Sequence, residues 1–177
     1  MAALDTSGKV IDTFHTYIKP SSSQPLATIV QYITGIQEKD IQNAPRLEDI
    51  YDAFSKFFDD KTIIIGHNIE FDIAFLQKFF PDITYLGHID TYTRSQNFIH
   101  FVPSFSLEVL FPLLYQEQES FIQITKDCAI MVEEENFHDA LYDAKTAAAL
   151  YLYIVQHIQR IVDTYPQAHY IFSKSPG

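Results

Sequence analysis

Positive charge is scarce in this chain of 177 residues: 12 Lys and Arg stand against 23 Asp and Glu, leaving a formal net charge of -11. Non-specific capture of nucleic acid rests on many cationic contacts to phosphate, so this balance argues against a broad binding surface. It argues less against an enzyme, because carboxylates that hold divalent cations supply positive charge locally. Cysteine is scarcer still. Cys128 stands alone, which excludes an intramolecular disulfide, and no Cys/His spacing resembles a zinc site, as fits a reducing compartment. Five glycines give little material for a Gly-rich phosphate loop. No apolar run approaches the roughly 18 residues that span a bilayer, and the stretch from Met1 to Lys9 lacks the basic-then-apolar pattern of a signal peptide. The expected setting is the cytoplasm, with no membrane partner.

What is present is the material of a core. Hydrophobic residues make up 47% of the chain, with 15 Phe and 11 Tyr, enough for one packed domain at this length. Met1 to Leu4 and Val10 to Ile18 predict a β-hairpin around the polar turn Asp5-Thr6-Ser7-Gly8. Lys19 to Pro25 reads as a loop with a short helix after it. From Ala44 to Phe58 the residues Leu47, Ile50, Tyr51, Phe54, Phe57 and Phe58 share one helical stripe, with Asn43 as N-cap and Pro45 in the first turn. Thr62 to Ile65 predicts a strand buried on both faces, Glu70 to Phe79 a helix, and Ile83 to Asp90 a further strand. A helix from Phe105 to Leu110 should be disturbed by Pro112, and a long helix runs from Asp139 to Arg160. A hairpin followed by alternating strands and helices predicts an α/β domain with a mixed sheet over residues 1–164, then an irregular tail over 165–177.

Two segments carry chemistry. GHNIEFDIAFL, from Gly66 to Leu76, places Asp72 in the first turns of a helix just past the end of a strand, the edge where ligands bind in open α/β sheets. Taken alone, Asp72 equally suits the positive end of a helix dipole. His67 and Asn68 suit a cap or turn, and Phe71 suits a core. HDALYDAKTAAAL, from His138 to Leu150, opens the last helix, with Asp139 as its N-cap. His138 and Asp143 converge only if His138 sits at or before the helix start. There the helix dipole disfavours the imidazolium and leaves a neutral ring able to accept a proton. Ala140, Ala144, Ala147 and Ala148 make a small-residue face that permits close packing on a sheet and brings Asp143 toward Asp72.

These two segments resemble the second and third motifs of the DEDDh (DnaQ-like) 3′-5′ exonucleases, a family of the ribonuclease-H-like fold that includes the proofreading subunits of bacterial replicative polymerases. The resemblance runs from about Ala2 to Arg160. It implies a three-layer fold with a mixed sheet flanked by helices. It implies Asp72 and Asp143 as ligands of Mg²⁺ or Mn²⁺ in a two-metal site, and His138 as the base that deprotonates the attacking water. Thr34, Gly35 and Ile36 resemble the segment that packs near the terminal nucleotide, and His67, Asn68 and Phe71 join them as candidate substrate contacts. The implied substrate is a single-stranded 3′ end, of DNA or RNA, and the implied partner a DNA polymerase subunit. Asp90 reads as structural, satisfying backbone donors.

The family's first motif, an Asp-x-Glu on a central first strand, has no counterpart. Asp5 and Asp12 lie in the hairpin, and neither is followed two residues later by Glu. The expectation is a truncated reading frame: the upstream coding DNA should encode a β-rich run with Asp-x-Glu-Thr, and the sheet should carry a gap where the first strand belongs. Two other readings compete, a degenerate exonuclease-fold module serving protein contacts and a metal-dependent phosphatase. The first does not explain why Asp72, His138 and Asp143 all remain.

Overall fold

A computed structural model of the chain describes residues 1–21, 25–130 and 139–167. His138 and the tail beyond 167 therefore lie outside the described residues. The chain opens with a hairpin of β1 (Ala2–Leu4) and β2 (Val10–Thr13), antiparallel, with a bulge between Ala3 and Leu4. Its turn is closed by Asp5, whose Oδ1 accepts from the Ser7 amide and hydroxyl and from the Lys9 amide. Gly8 supplies the positive φ of 87°. β2 stops at Thr13, short of the expected Ile18, because its partner offers only three residues to pair with.

Three helices follow: α1 (Thr28–Thr34), α2 (Glu38–Gln42) and α3 (Leu47–Ser55). The expected N-cap at Asn43 is corrected, since Asn43 ends α2. α3 starts instead after Arg46, whose amide donates to the Asp49 carboxylate at 2.9 Å. Strand β3 (Ile63–Gly66) leads to α4 (Glu70–Phe79), and β4 (Gly87–Asp90) pairs with β3 in parallel, Gly66 opposite Asp90. β3 is less buried than expected, with Ile63 47% exposed, because it has one strand neighbour rather than two.

The remaining helices are α5 (Thr91–Phe98), α6 (Leu107–Glu117), α7 (Glu119–Asp127) and α8 (Ala140–Thr164). Pro112 lies inside α6 and does not end it. Burial of Leu110, Phe111 and Leu114 on that helix offsets the roughly 3 kcal/mol that an interior proline costs. The main core is largely helical: those three residues pack with Phe121, Ile124, Cys128, Tyr142, Ala149, Leu150 and Ile154, and Leu4 and Val10 of the hairpin close it. A second, aromatic cluster joins Phe14, Phe54 and Phe80, with ring centroids 4.6 to 5.8 Å apart.

Antiparallel and parallel pairs in one α/β domain agree with the expected mixed architecture. The strands form two separate two-stranded sheets, β1-β2 and β3-β4. α8 packs against both β1 and β3 and so bridges the two halves. Among the described residues no helix is long and apolar enough to cross a membrane.

Candidate active site

The site begins where β3 ends. At Gly66 a side chain is sterically excluded: a Cβ there would lie 2.7 Å from Cγ1 of Ile69, and Ile69 is buried at 2% exposure. The chain therefore folds back tightly, with Asn68 in the left-handed region at φ 58°, and enters α4 so that Asp72 falls in its first turn. The residue faces solvent, yet neighbouring protein atoms desolvate its carboxyl enough to raise its pKa above the usual 3.8. Phe71 is 69% exposed and stacks on Phe75, which stacks on Phe79, in a ladder of rings along α4. The plainer expectation that Phe71 belongs to the core does not hold.

His67 is turned inward. Its Nε2 lies 2.8 Å from the carbonyl of Phe105 and its Nδ1 3.0 Å from Oγ1 of Thr91, a hydroxyl that also lies 2.9 Å from the carbonyl of Gly66. The Phe105 carbonyl can only accept, so Nε2 carries the proton. Burial lowers the pKa of His67 below 6.5, against the opposing pull of the Phe105 carbonyl and the Asp90 charge. The one proton of the Thr91 hydroxyl goes to the Gly66 carbonyl, so it is the Nε2–H bond to the Phe105 carbonyl that holds the neutral ring. Asp90 caps α5: its Oδ1 accepts from the amides of Tyr92 and Asn68, and its Oδ2 from the Thr93 hydroxyl.

The second acidic residue, Asp143, sits in the first turn of α8, partly buried. The helix starts as expected at Asp139, whose Oδ1 accepts from the amides of Leu141 and Tyr142 at 3.0 and 2.9 Å. His15 approaches the other oxygen of Asp139 at 3.5 Å. Ala147, Ala148 and Ala149 are buried, whereas Ala140 is exposed. The close-packed face thus begins a turn or more inside the helix. Thr34 ends α1, with its hydroxyl donating to Val30 and accepting from the Ile36 amide, and Gly35 takes the left-handed φ of 70° that closes the helix. These bonds keep the 34–36 segment within its own turn.

Among the described residues no group of three or more His, Cys, Asp or Glu is placed to hold a metal ion. Asp72 and Asp143 have the right donor chemistry for hard divalent cations but form a partial ligand set. Asp5 and Asp12 add nothing to it: the first is engaged in the hairpin turn and the second lies 3.6 Å from Lys56. Asp90, expected to be structural and to satisfy backbone donors, does so at the amides of Asn68 and Tyr92. The signal for it was its position as the last strand residue before Thr91, three residues ahead of a second hydroxyl at Thr93.

The family described as RNase_T, Exonuclease, matches residues 1–151. A PolC-type DNA polymerase III of Caldanaerobacter subterraneus is 24% identical over 156 residues, 86% of this chain and 10% of that protein. The counterpart in Thermotoga maritima is 27% identical over 158 residues, 87% of this chain and 10% of that protein. A 3′-5′ exonuclease DinG of Staphylococcus aureus is 26% identical over 172 residues, 93% of this chain and 17% of that protein. The chain thus spans between 10% and 17% of the length of these relatives. Among solved structures, exonuclease X in complex with 5′ overhanging duplex DNA superposes with a TM-score of 0.59 at 19% identity, over 88% of this chain and 80% of that one. This likeness carries the fold, and the ribonuclease-H-like architecture expected from the sequence holds.

Proposed function

The chain belongs to the RNase_T exonuclease family, and on that premise we propose that it is a metal-dependent 3′-5′ exonuclease releasing nucleoside 5′-monophosphates from the 3′ end of a single strand. The observation that carries this reading is the placement of Asp72 and Asp143, each in the first turn of a helix tied to β3. α4 leaves the C-terminal end of that strand, and α8 packs across it. Asp72 and Asp143 would hold Mg²⁺ or Mn²⁺, for which carboxylate oxygens are the preferred ligands. Bound there, such cations polarise the scissile phosphate and acidify the attacking water.

The rest falls to the chain's own side chains. In sequence His138 directly precedes Asp139, the N-cap of α8, and in this reading its imidazole takes the proton from water. The exposed ring of Phe71 offers a face on which the terminal base stacks, a contact that tolerates any base. The resemblance assigns Thr34, Gly35, Ile36 and Asn68 to the approach of that nucleotide. The polymerase relatives favour DNA as the substrate and a polymerase as the partner.

The test is a purified chain with Mn²⁺ and a 3′-labelled single strand. The expected product is labelled mononucleotide, and His138→Ala should collapse turnover while Mn²⁺ binding persists. If no mononucleotide appears with the wild-type chain, the nuclease reading of this chain is wrong. A second reading, a module serving protein contacts, is favoured by the exposed ladder of Phe71, Phe75 and Phe79.

A further inference from the structure

Asp72 follows a turn that depends on a partner outside it. Asn68 takes a left-handed φ of 58°, which asparagine tolerates better than other residues with a side chain, but its backbone amide still needs an acceptor. The acceptor comes from the neighbouring strand. Parallel pairing sets Gly66 opposite Asp90, so the Asp90 carboxylate lies beside the turn, and its Oδ1 accepts from the Asn68 amide at 2.7 Å. The same oxygen accepts from Tyr92, and Oδ2 accepts from Thr93, so three donors hold this carboxylate in one orientation. Thr91 and His67 brace the other side. Thr91 is fully buried, its hydroxyl donates to the Gly66 carbonyl and lies beside Nδ1 of His67, and the His67 ring reaches on to Phe105. Tyr92 closes edge-on against that ring at 5.4 Å.

We infer that Asp90 is the positioning residue for Asp72: by gripping the Asn68 amide it sets the entry angle of α4, with His67 and Thr91 as a brace rather than as substrate contacts. This inference rests on the reading of Asp72 as a metal ligand. It separates two roles a carboxylate beside a metal site can have. A positioning carboxylate acts by hydrogen-bond geometry, which an amide reproduces; a ligating or charge-balancing one acts by its charge, which an amide lacks. In Asp90→Asn, Oδ1 keeps both backbone donors and Nδ2 donates to the Thr93 hydroxyl, which can accept.

The experiment titrates Mn²⁺ by water-proton relaxation into the wild-type chain and into the Asp72→Asn, Asp90→Ala and Asp90→Asn variants, and reads hydrogen exchange at the Asn68 amide in each. Expected are loss of Asn68 protection and Mn²⁺ affinity weakened about tenfold or more in Asp90→Ala, the range for outer-shell partners of a metal site. Asp90→Asn should retain both the protection and the affinity. Thr93→Ala, which removes one donor and leaves the Asn68 contact, controls for a general loss of fold and should behave as wild type. If Asp90→Ala binds Mn²⁺ as the wild-type chain does, the positioning role is overturned. If Asp90→Asn is as weak as Asp90→Ala, charge matters and the role is again overturned. If Asp72→Asn binds as tightly as wild type, it is the ligand reading of Asp72 that fails, and this inference falls with it.

Discussion

Individual side chains in this protein are best understood by what surrounds them, and three give measurable consequences. The carboxyl of Asp72, though the residue is exposed, is shifted above its usual value because neighbouring protein atoms partly desolvate its charge. An acid whose folded pKa is raised loses stability as pH rises from its unfolded value through its folded one, so at neutral pH Asp72 destabilises the metal-free fold. Asp72→Asn should therefore raise the melting temperature at pH 7 and leave it unchanged at pH 3, as scanning fluorimetry would show, while abolishing Mn²⁺-dependent release of mononucleotide. His67 behaves with the opposite pH sense. Its folded pKa is lowered from 6.5 by burial, so it costs nothing above that value and stability is lost as pH falls below it, where the unfolded chain binds the extra proton. An NMR titration of its ring should give a midpoint under 6.5. Cys128 is fully buried, and burial pushes its thiol up to about 11. Ellman's reagent should leave it untouched at pH 7 until the protein is unfolded.

At the scale of elements, legibility followed boundary signals as well as apolar period. Helix α4 and the N-cap of α8 stand where the pattern predicted them, and α3 lies inside its predicted stripe. Of the eight described helices three escaped: one of the short pair α1 and α2, then α5 and α7. α5 buries Thr91 and Ser95, whose hydroxyls are satisfied at Gly66 and at the Thr91 carbonyl, so its inner face is polar and no apolar stripe marks it. α7 has nine residues and packs on α8 through Phe121 and Ile124; its apolar residues share a stripe, but only Gln118 separates it from α6 and no Gly or Pro marks that boundary. α6 continues through Pro112 because burial of its apolar face outweighs a local defect. The cap of α8 offers the clean test. Asp139→Ala removes the acceptor for two helix amides and should cost about 1 kcal/mol in urea unfolding, the usual effect of losing an acidic N-cap.

Across the whole molecule, α8 packs on both two-stranded sheets. The hairpin reaches it closely: Gly8 has a positive φ of 87°, and a Cβ there would lie 2.6 Å from Cδ2 of Leu152. Leu150, 1% exposed at the middle of that helix, is enclosed in the main core, and Leu150→Ala should cost about 2 to 5 kcal/mol. Because α8 packs on both sheets, the loss should appear as a single transition by fluorescence and by circular dichroism; two separated transitions would show that the hairpin and the β3-β4 unit fold independently. The sequence by itself determined the family, since the segments around Asp72 and Asp143 resemble its motifs in residue types and order, and it determined α4 and the start of α8. Only the tertiary structure decided how the strands divide into two sheets, that His67 faces inward, and that Asp90 grips the turn before Asp72. Those facts depend on contacts between residues some 20 to 40 positions apart, brought together by parallel pairing of β3 with β4, and local pattern contains no record of which distant partner a polar side chain will meet.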